Sequence, residues 1–160
     1  MTVAFMRNKW VEVVRQSETS VGVRGVIVDT ALAFSIELVV KLPDLEILAA
    51  EAKIERAPGM VCRQAESLMQ KARGIRIGPG LRKIAVGIMG GTSGCRTLVN
   101  LFMECCNAVI LSFTVPQIEK LLEGTEEERV EGFRDMLRMN PRLHRSCVAF
   151  AEESPIVKGL

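Results

Sequence analysis

Two cysteines in this chain stand where thiol chemistry is favoured. Cys95 ends the glycine-rich stretch "GIMGGTSGC" (87–95) and opens a segment running to about Phe113. Within it Leu98, Leu101, Phe102, Cys105, Ala108 and Val109 recur at helical spacing, with Asn100, Glu104 and Asn107 off that stripe. Cys62 follows "APGMV" at the expected start of another helix, "CRQAESLMQKARG". Unpaired amides at a helix N-terminus favour the thiolate, the nucleophilic and metal-binding form. Thiolates select zinc or iron–sulfur centres, so Cys62 and Cys95, with Cys147 as a third member, form a candidate metal site. The plainer reading is that cysteine packs as a small hydrophobe. It is the preferred one for Cys105 and Cys106, in mid-helix.

The same stretch offers a second chemistry. Gly90, Gly91 and Gly94 with Arg96 suit an anion held on backbone amides, which points to a binder of, or an enzyme for, a small anionic molecule. A nucleotide loop of the Walker type needs Lys-Ser/Thr after its glycines, whereas Cys95-Arg96-Thr97 stands here. His144 lies three residues before Cys147, a spacing that allows two ligands to one metal, yet a histidine among arginines more often marks plain surface. With one histidine the chain supports no Ser-His-Asp arrangement, and no catalytic residue is assigned. If the cysteines serve only as core, the chain is a non-catalytic module that oligomerises or binds a partner.

Strands must position these residues first. "WVEVVRQSETSVGVRGVIVD" holds two β-branched runs around polar turn residues, as in a hairpin. "FSIELVVKL", a turn at Pro43-Asp44 and "EILAAEAKIE" follow. Strict alternation in the last run places Leu48, Ala50, Ala52 and Ile54 inward and Ile47, Ala49, Glu51 and Lys53 outward. Glu51, Lys53 and Glu55 then read as a solvated sheet face. The helix from Cys62 sets Cys62, Ala65, Met69 and Ala72 on one stripe, with Gly74 as C-cap. "IRIGPGLRKIAVGIMGG" is broken by glycines and reads as a loop with one short regular piece. Thr114 with Gln117, and Thr125 with Glu128, suit the starts of two further helices. Asn140-Pro141 ends the second of them, and "RSCVAFAEESPIVKGL" returns as a short strand or lies along the surface.

Composition narrows the classes. The 160 residues are 48% apolar and 25% charged, with 21 basic against 19 acidic side chains and a net charge of +2. That is the profile of a globular protein large enough to build its own core. Charges are mixed along the chain and aromatics make up only 4%, which disfavours nucleic acid. No apolar run approaches the roughly 20 residues of a membrane span, and "MTVAFMRNKW" lacks the apolar stretch of a signal peptide. The expectation is a cytoplasmic protein with no membrane partner. Its five cysteines form no CxxC pair and are read as free thiols or ligands.

Two resemblances follow from the motifs. Pro58 and Cys62, the Gly-Gly-x-x-Gly-Cys turn at Gly90, Gly91, Gly94 and Cys95, and the late Cys147 resemble an uncharacterised bacterial family, a domain of unknown function. That family usually continues the turn with Thr-His-Leu, where this chain has Arg96-Thr97-Leu98. More distantly, the strand-turn-strand-cysteine-helix order from Phe34 to Gly74 and the helix "GCRTLVNLFMECCNAVI" are similar to the NifU-type and IscU-type iron–sulfur scaffold fold. Where those scaffolds carry their first cysteine, this chain has Leu32 to Phe34. The strand and helix patterns, supported by this resemblance, predict an α+β fold with an antiparallel sheet of three or four strands in a meander, covered on one face by helices. The expected organisation is a single domain over 1–160: strand-rich over 10–56, helical over 62–139, with a short tail over 140–160. Zinc or an iron–sulfur cluster, a small anionic ligand and a second copy of the chain remain open as partners.

Overall fold

The computed structural model describes residues 2–160, with burial and side-chain contacts at 117, 120, 142 and 159 outside it. Four strands, β1 (Arg7–Ser17), β2 (Ser20–Asp29), β3 (Ala33–Lys41) and β4 (Glu46–Arg56), form one antiparallel sheet in the order β1-β2-β3-β4. Together with the helices that follow, this is an α+β fold. Each strand lies beside its neighbour in sequence because the connections are too short for a crossover. The β2–β3 connection turns on Asp29, whose Oδ1 accepts from the amides of Ala31 (2.8 Å) and Leu32 (2.6 Å). Its Oδ2 receives Arg7 Nε (2.8 Å) from the start of β1. Burial works to raise the Asp29 carboxyl, but Arg7 and the two amides outweigh it and hold it below the usual carboxylate range.

Alternation decides which face is covered. Val21, Val23 and Ile27 of β2, Phe34, Ile36, Leu38 and Val40 of β3, and Ile47, Ala50 and Ile54 of β4 all point into the core. In β4 the pattern differs from strict alternation. The register shifts between Val39 and Val40 of β3, so that Ala49 pairs with Val39 and Ile47 with Val40, which leaves Leu48 as a bulged residue. The bulge turns Ile47 inward and Leu48 outward, reversing the expected placement of those two residues. Beyond it Ala50, Ala52 and Ile54 face inward, as alternation predicts.

The covering layer is helical. A long 3₁₀ helix, Met60–Ala72, lies against β4 and buries Ala65, Met69 and Ala72. Gly74 follows it at φ 82°, and its amide donates to Ile47 O (2.8 Å) on β4. The next segment continues along that edge. Ile47 N donates to Ile75 O (2.9 Å), Ile77 N donates to Leu45 O (2.9 Å), and the Glu66 carboxylate accepts from Ile54 N (2.6 Å). Helix α1 (Leu81–Met89) comes next, in the stretch that sequence reads mainly as loop. Its glycines and its lack of a capping side chain conceal a stripe of Leu81, Ala85 and Met89, four residues apart, all buried. Helix α2 (Arg96–Ser112) crosses β1 and β2 and packs on α1. It buries Leu98, Leu101, Phe102, Cys105, Cys106 and Val109.

These elements form one compact unit, Met1–Ser112, and Phe113–Leu160 forms a second. The second unit holds α3 (Val115–Leu122) and α4 (Glu126–Met139), followed by short 3₁₀ turns. Thr125 and Glu128 make the expected capping box at the start of α4. Gln117, the expected partner of Thr114, lies outside the described side chains. Phe133 of α4 meets Phe150 edge to face at 6.2 Å, and Arg134 donates to the carbonyls of Pro155 and Ile156. The tail is therefore fastened to α4 by side chains, with no strand among its described residues.

Candidate functional site

The cysteines come first because the sequence points to them. Cys62 lies exposed on the first turn of the 3₁₀ helix, its amide donating to Gly59 O (3.1 Å). Cys95 is half-buried and immediately precedes α2. Its amide donates to Met89 O (2.8 Å) and its carbonyl accepts from Val99 N (3.1 Å). Cys147, in the second unit, is exposed before the turn Val148–Phe150, and His144 near it is exposed as well. Among the described residues no group of three or more His, Cys, Asp and Glu side chains is placed to hold a metal ion. Within the first unit, Cys62 and Cys95 belong to no such group among the described residues. Cys105 and Cys106 are core, as expected. Burial, with Glu104 next, pushes the Cys105 thiol up to about 12, and burial raises Cys106 still further. Both are held as neutral thiols at neutral pH.

The glycine turn has a structural explanation. Gly91 takes φ 72°, a left-handed conformation that favours glycine. A side chain at Gly94 would overlap the carbonyl oxygens of Met89 and Gly90, so only glycine lets α1 and α2 be joined this tightly. The amides of Gly90, Gly94 and Cys95 donate to the carbonyls of Val86, Gly91 and Met89. Three amides that an anion would call upon are therefore engaged within the turn itself. Arg96 stands exposed on the first turn of α2.

The uncovered face of the sheet holds an arrangement that sequence alone does not reveal. Cross-strand pairing aligns Glu12 with Arg24, Arg24 with Glu37, and Glu37 with Glu51, a single row across all four strands. The neighbouring row is Val14, Gly22, Val39 and Ala49, small or apolar throughout. Together the two rows line a groove of about 340 Å³. Arg24 reaches Glu37 (3.7 Å) and lies 5.5 Å from the ring centroid of Trp10, the chain's one tryptophan. Glu12 and Glu51 take part in no ion pair among the described residues. Glu37 and Glu51 are directly opposed like charges, an unfavourable cross-strand pair. Each residue falls at an outward position of an alternating strand, but only the register brings them into one row.

This is a two-layer α+β unit with a row of three glutamates and one arginine across its sheet and, among the described residues, no group of three or more metal-ligating side chains. The family described as "Protein of unknown function (DUF2889)" matches residues 15–111, and the chain belongs to that family. The match starts within β1 and stops one residue before the first unit ends, so it falls on the sheet and its helical layer. No curated protein and no solved structure matches the chain. Among the described residues no helix is long and apolar enough to cross a membrane.

Proposed function

We propose that the chain is a partner-binding module whose first unit holds a cationic segment of another protein on the open face of its sheet. The opposed pair Glu37–Glu51 carries this reading. Like charges directly across two strands weaken a sheet, and a guanidinium or ammonium group seated between them converts that repulsion into attraction. Arg24 on Trp10 models such a cation one strand away, and the row of Val14, Gly22, Val39 and Ala49 offers an apolar floor for the stem of a lysine or arginine.

Trp10 supplies the assay. Titrating the full chain with an oligo-arginine peptide shifts the emission of this single tryptophan, and an oligo-glutamate peptide leaves it unmoved. Glu37→Gln with Glu51→Gln weakens the response about tenfold, and added salt weakens it further. The proposal fails if Trp10 does not respond, or if the double variant responds as the parent does. Concentration-dependent self-association that disappears in the double variant makes a second copy the occupant and overturns the heterologous reading.

A further inference from the structure

The helical layer of the first unit carries the opposite charge. Residues 57–95 include six basic side chains, Arg63, Lys71, Arg73, Arg76, Arg82 and Lys83, and one acidic one, Glu66. All six are exposed, and none is in an ion pair among the described residues. The Glu66 carboxylate is already occupied by the Ile54 amide on β4. A modest overall charge of +2 therefore hides a stretch, across the 3₁₀ helix, the edge segment and α1, that carries six exposed cations against one carboxylate.

Beside this surface the seam between α1 and α2 opens into a cleft of about 260 Å³. Ile77, Leu81, Met103 and Ile110 line it with aliphatic surface, and Arg82 stands among its lining residues. Ile84 and Val86, also on α1, are exposed alongside the cations. An aliphatic socket next to a free guanidinium is the pattern of a binding hot spot with a charged rim. Four of the six cations are arginines, whose planar fork suits carboxylates held two-pronged. Residues 57–95 contain no aromatic side chain, so the surface has no platform on which bases would stack.

From this we infer that the α1–α2 seam docks an acidic segment of a partner protein, one that places an aliphatic side chain in the cleft and its carboxylates on Arg82 and the neighbouring cations. The surface is separate from the acidic sheet face, and either can hold or fail without the other. The test uses the full chain and a labelled peptide in which leucine and glutamate recur at helical spacing, with a leucine–lysine peptide as control. Duplex DNA and phosphatidylserine vesicles are assayed in parallel. The leucine–glutamate peptide is expected to bind and the control is not. Arg82→Glu weakens binding by about tenfold or more. Asn107→Phe, which fills the cleft from its exposed rim, weakens it comparably, and Glu37→Gln with Glu51→Gln leaves it unchanged. Arg82→Ala with Lys83→Ala repeats the charge test should Arg82→Glu fail to fold. No binding of the peptide, equal binding by the Arg82 variants, or preferential binding of DNA or vesicles through the same arginines overturns the inference.

Discussion

Helix α2 packs tightly on the sheet at Gly25, and this contact sets a quantitative test of the packing. Gly25 lies in the middle of β2 on the covered face, paired with Val11 and Ile36. A β-carbon added there would overlap Cys105 Sγ and lie 3.3 Å from both Leu101 Cδ1 and Cγ. Neither neighbour is free to retreat. Cys105 and Leu101 are fully buried in α2, whose inward face also carries Leu98, Phe102 and Val109. Overpacking a close-packed site of this kind costs about 1–3 kcal/mol. With a urea dependence of roughly 2 kcal/mol per molar, Gly25→Ala should lower the unfolding midpoint by about 0.5–1.5 M. Cys105→Ala removes the obstructing sulfur and, alone, costs about 1 kcal/mol through the small cavity it leaves. Combined with Gly25→Ala the new methyl occupies that space, so the double variant should be more stable than the sum of the two single costs by about 1 kcal/mol or more. Urea titrations of the four proteins, followed by Trp10 emission and far-ultraviolet circular dichroism, measure this coupling. Strict additivity, or a Gly25→Ala protein as stable as the parent, would falsify the claim that α2 approaches β2 through Gly25.

Two other outcomes follow from the thiols and from Asp29. In the native chain a disulfide reagent at neutral pH should modify exposed Cys62 and Cys147 rapidly and Cys95 more slowly, leaving Cys105 and Cys106 until denaturant is added. Fast native reaction of either buried thiol would contradict its place in the core. Asp29 has a folded-state carboxyl held below its unfolded range, so its stabilising effect is present above the unfolded pKa of roughly 3.9 and is lost as pH falls through the folded value. Asp29→Asn should accordingly be less stable than the parent at neutral pH, with the difference shrinking through the acid range. An undiminished difference at low pH would show that the negative charge of Asp29 does not carry its effect.

How far the sequence discloses this architecture depends on the reach of each signal. The two β-branched runs of the first hairpin and the stripe of α2 are local signals, and the structure has strands and a helix there. The same is true of Thr125 and Glu128, whose reciprocal bonds need only one helical turn. The bulge at Leu48 depends on how β4 meets β3, and a strict period of two hides it. Helix α1 carries no capping side chain and contains Gly87, so Leu81, Ala85 and Met89 become a helical face only against α2. The candidate sites show the same division. Cys62 and Cys95 are visible as thiols near helix starts, but whether sulfurs assemble with other donors depends on tertiary placement. Glu12, Arg24, Glu37 and Glu51 look like unrelated surface charges until antiparallel pairing sets them side by side.

The hydrogen bonds along the outer side of β4 bear on growth of the sheet. Gly74, Ile75 and Ile77 engage one end of that strand and Glu66 the other, so a further strand arriving there would have to displace bonds already made. Backbone recruitment is thereby directed to the β1 side. Two such sheets joined along β1 would each present outward a margin already bonded at both ends, which works against growth into a fibril.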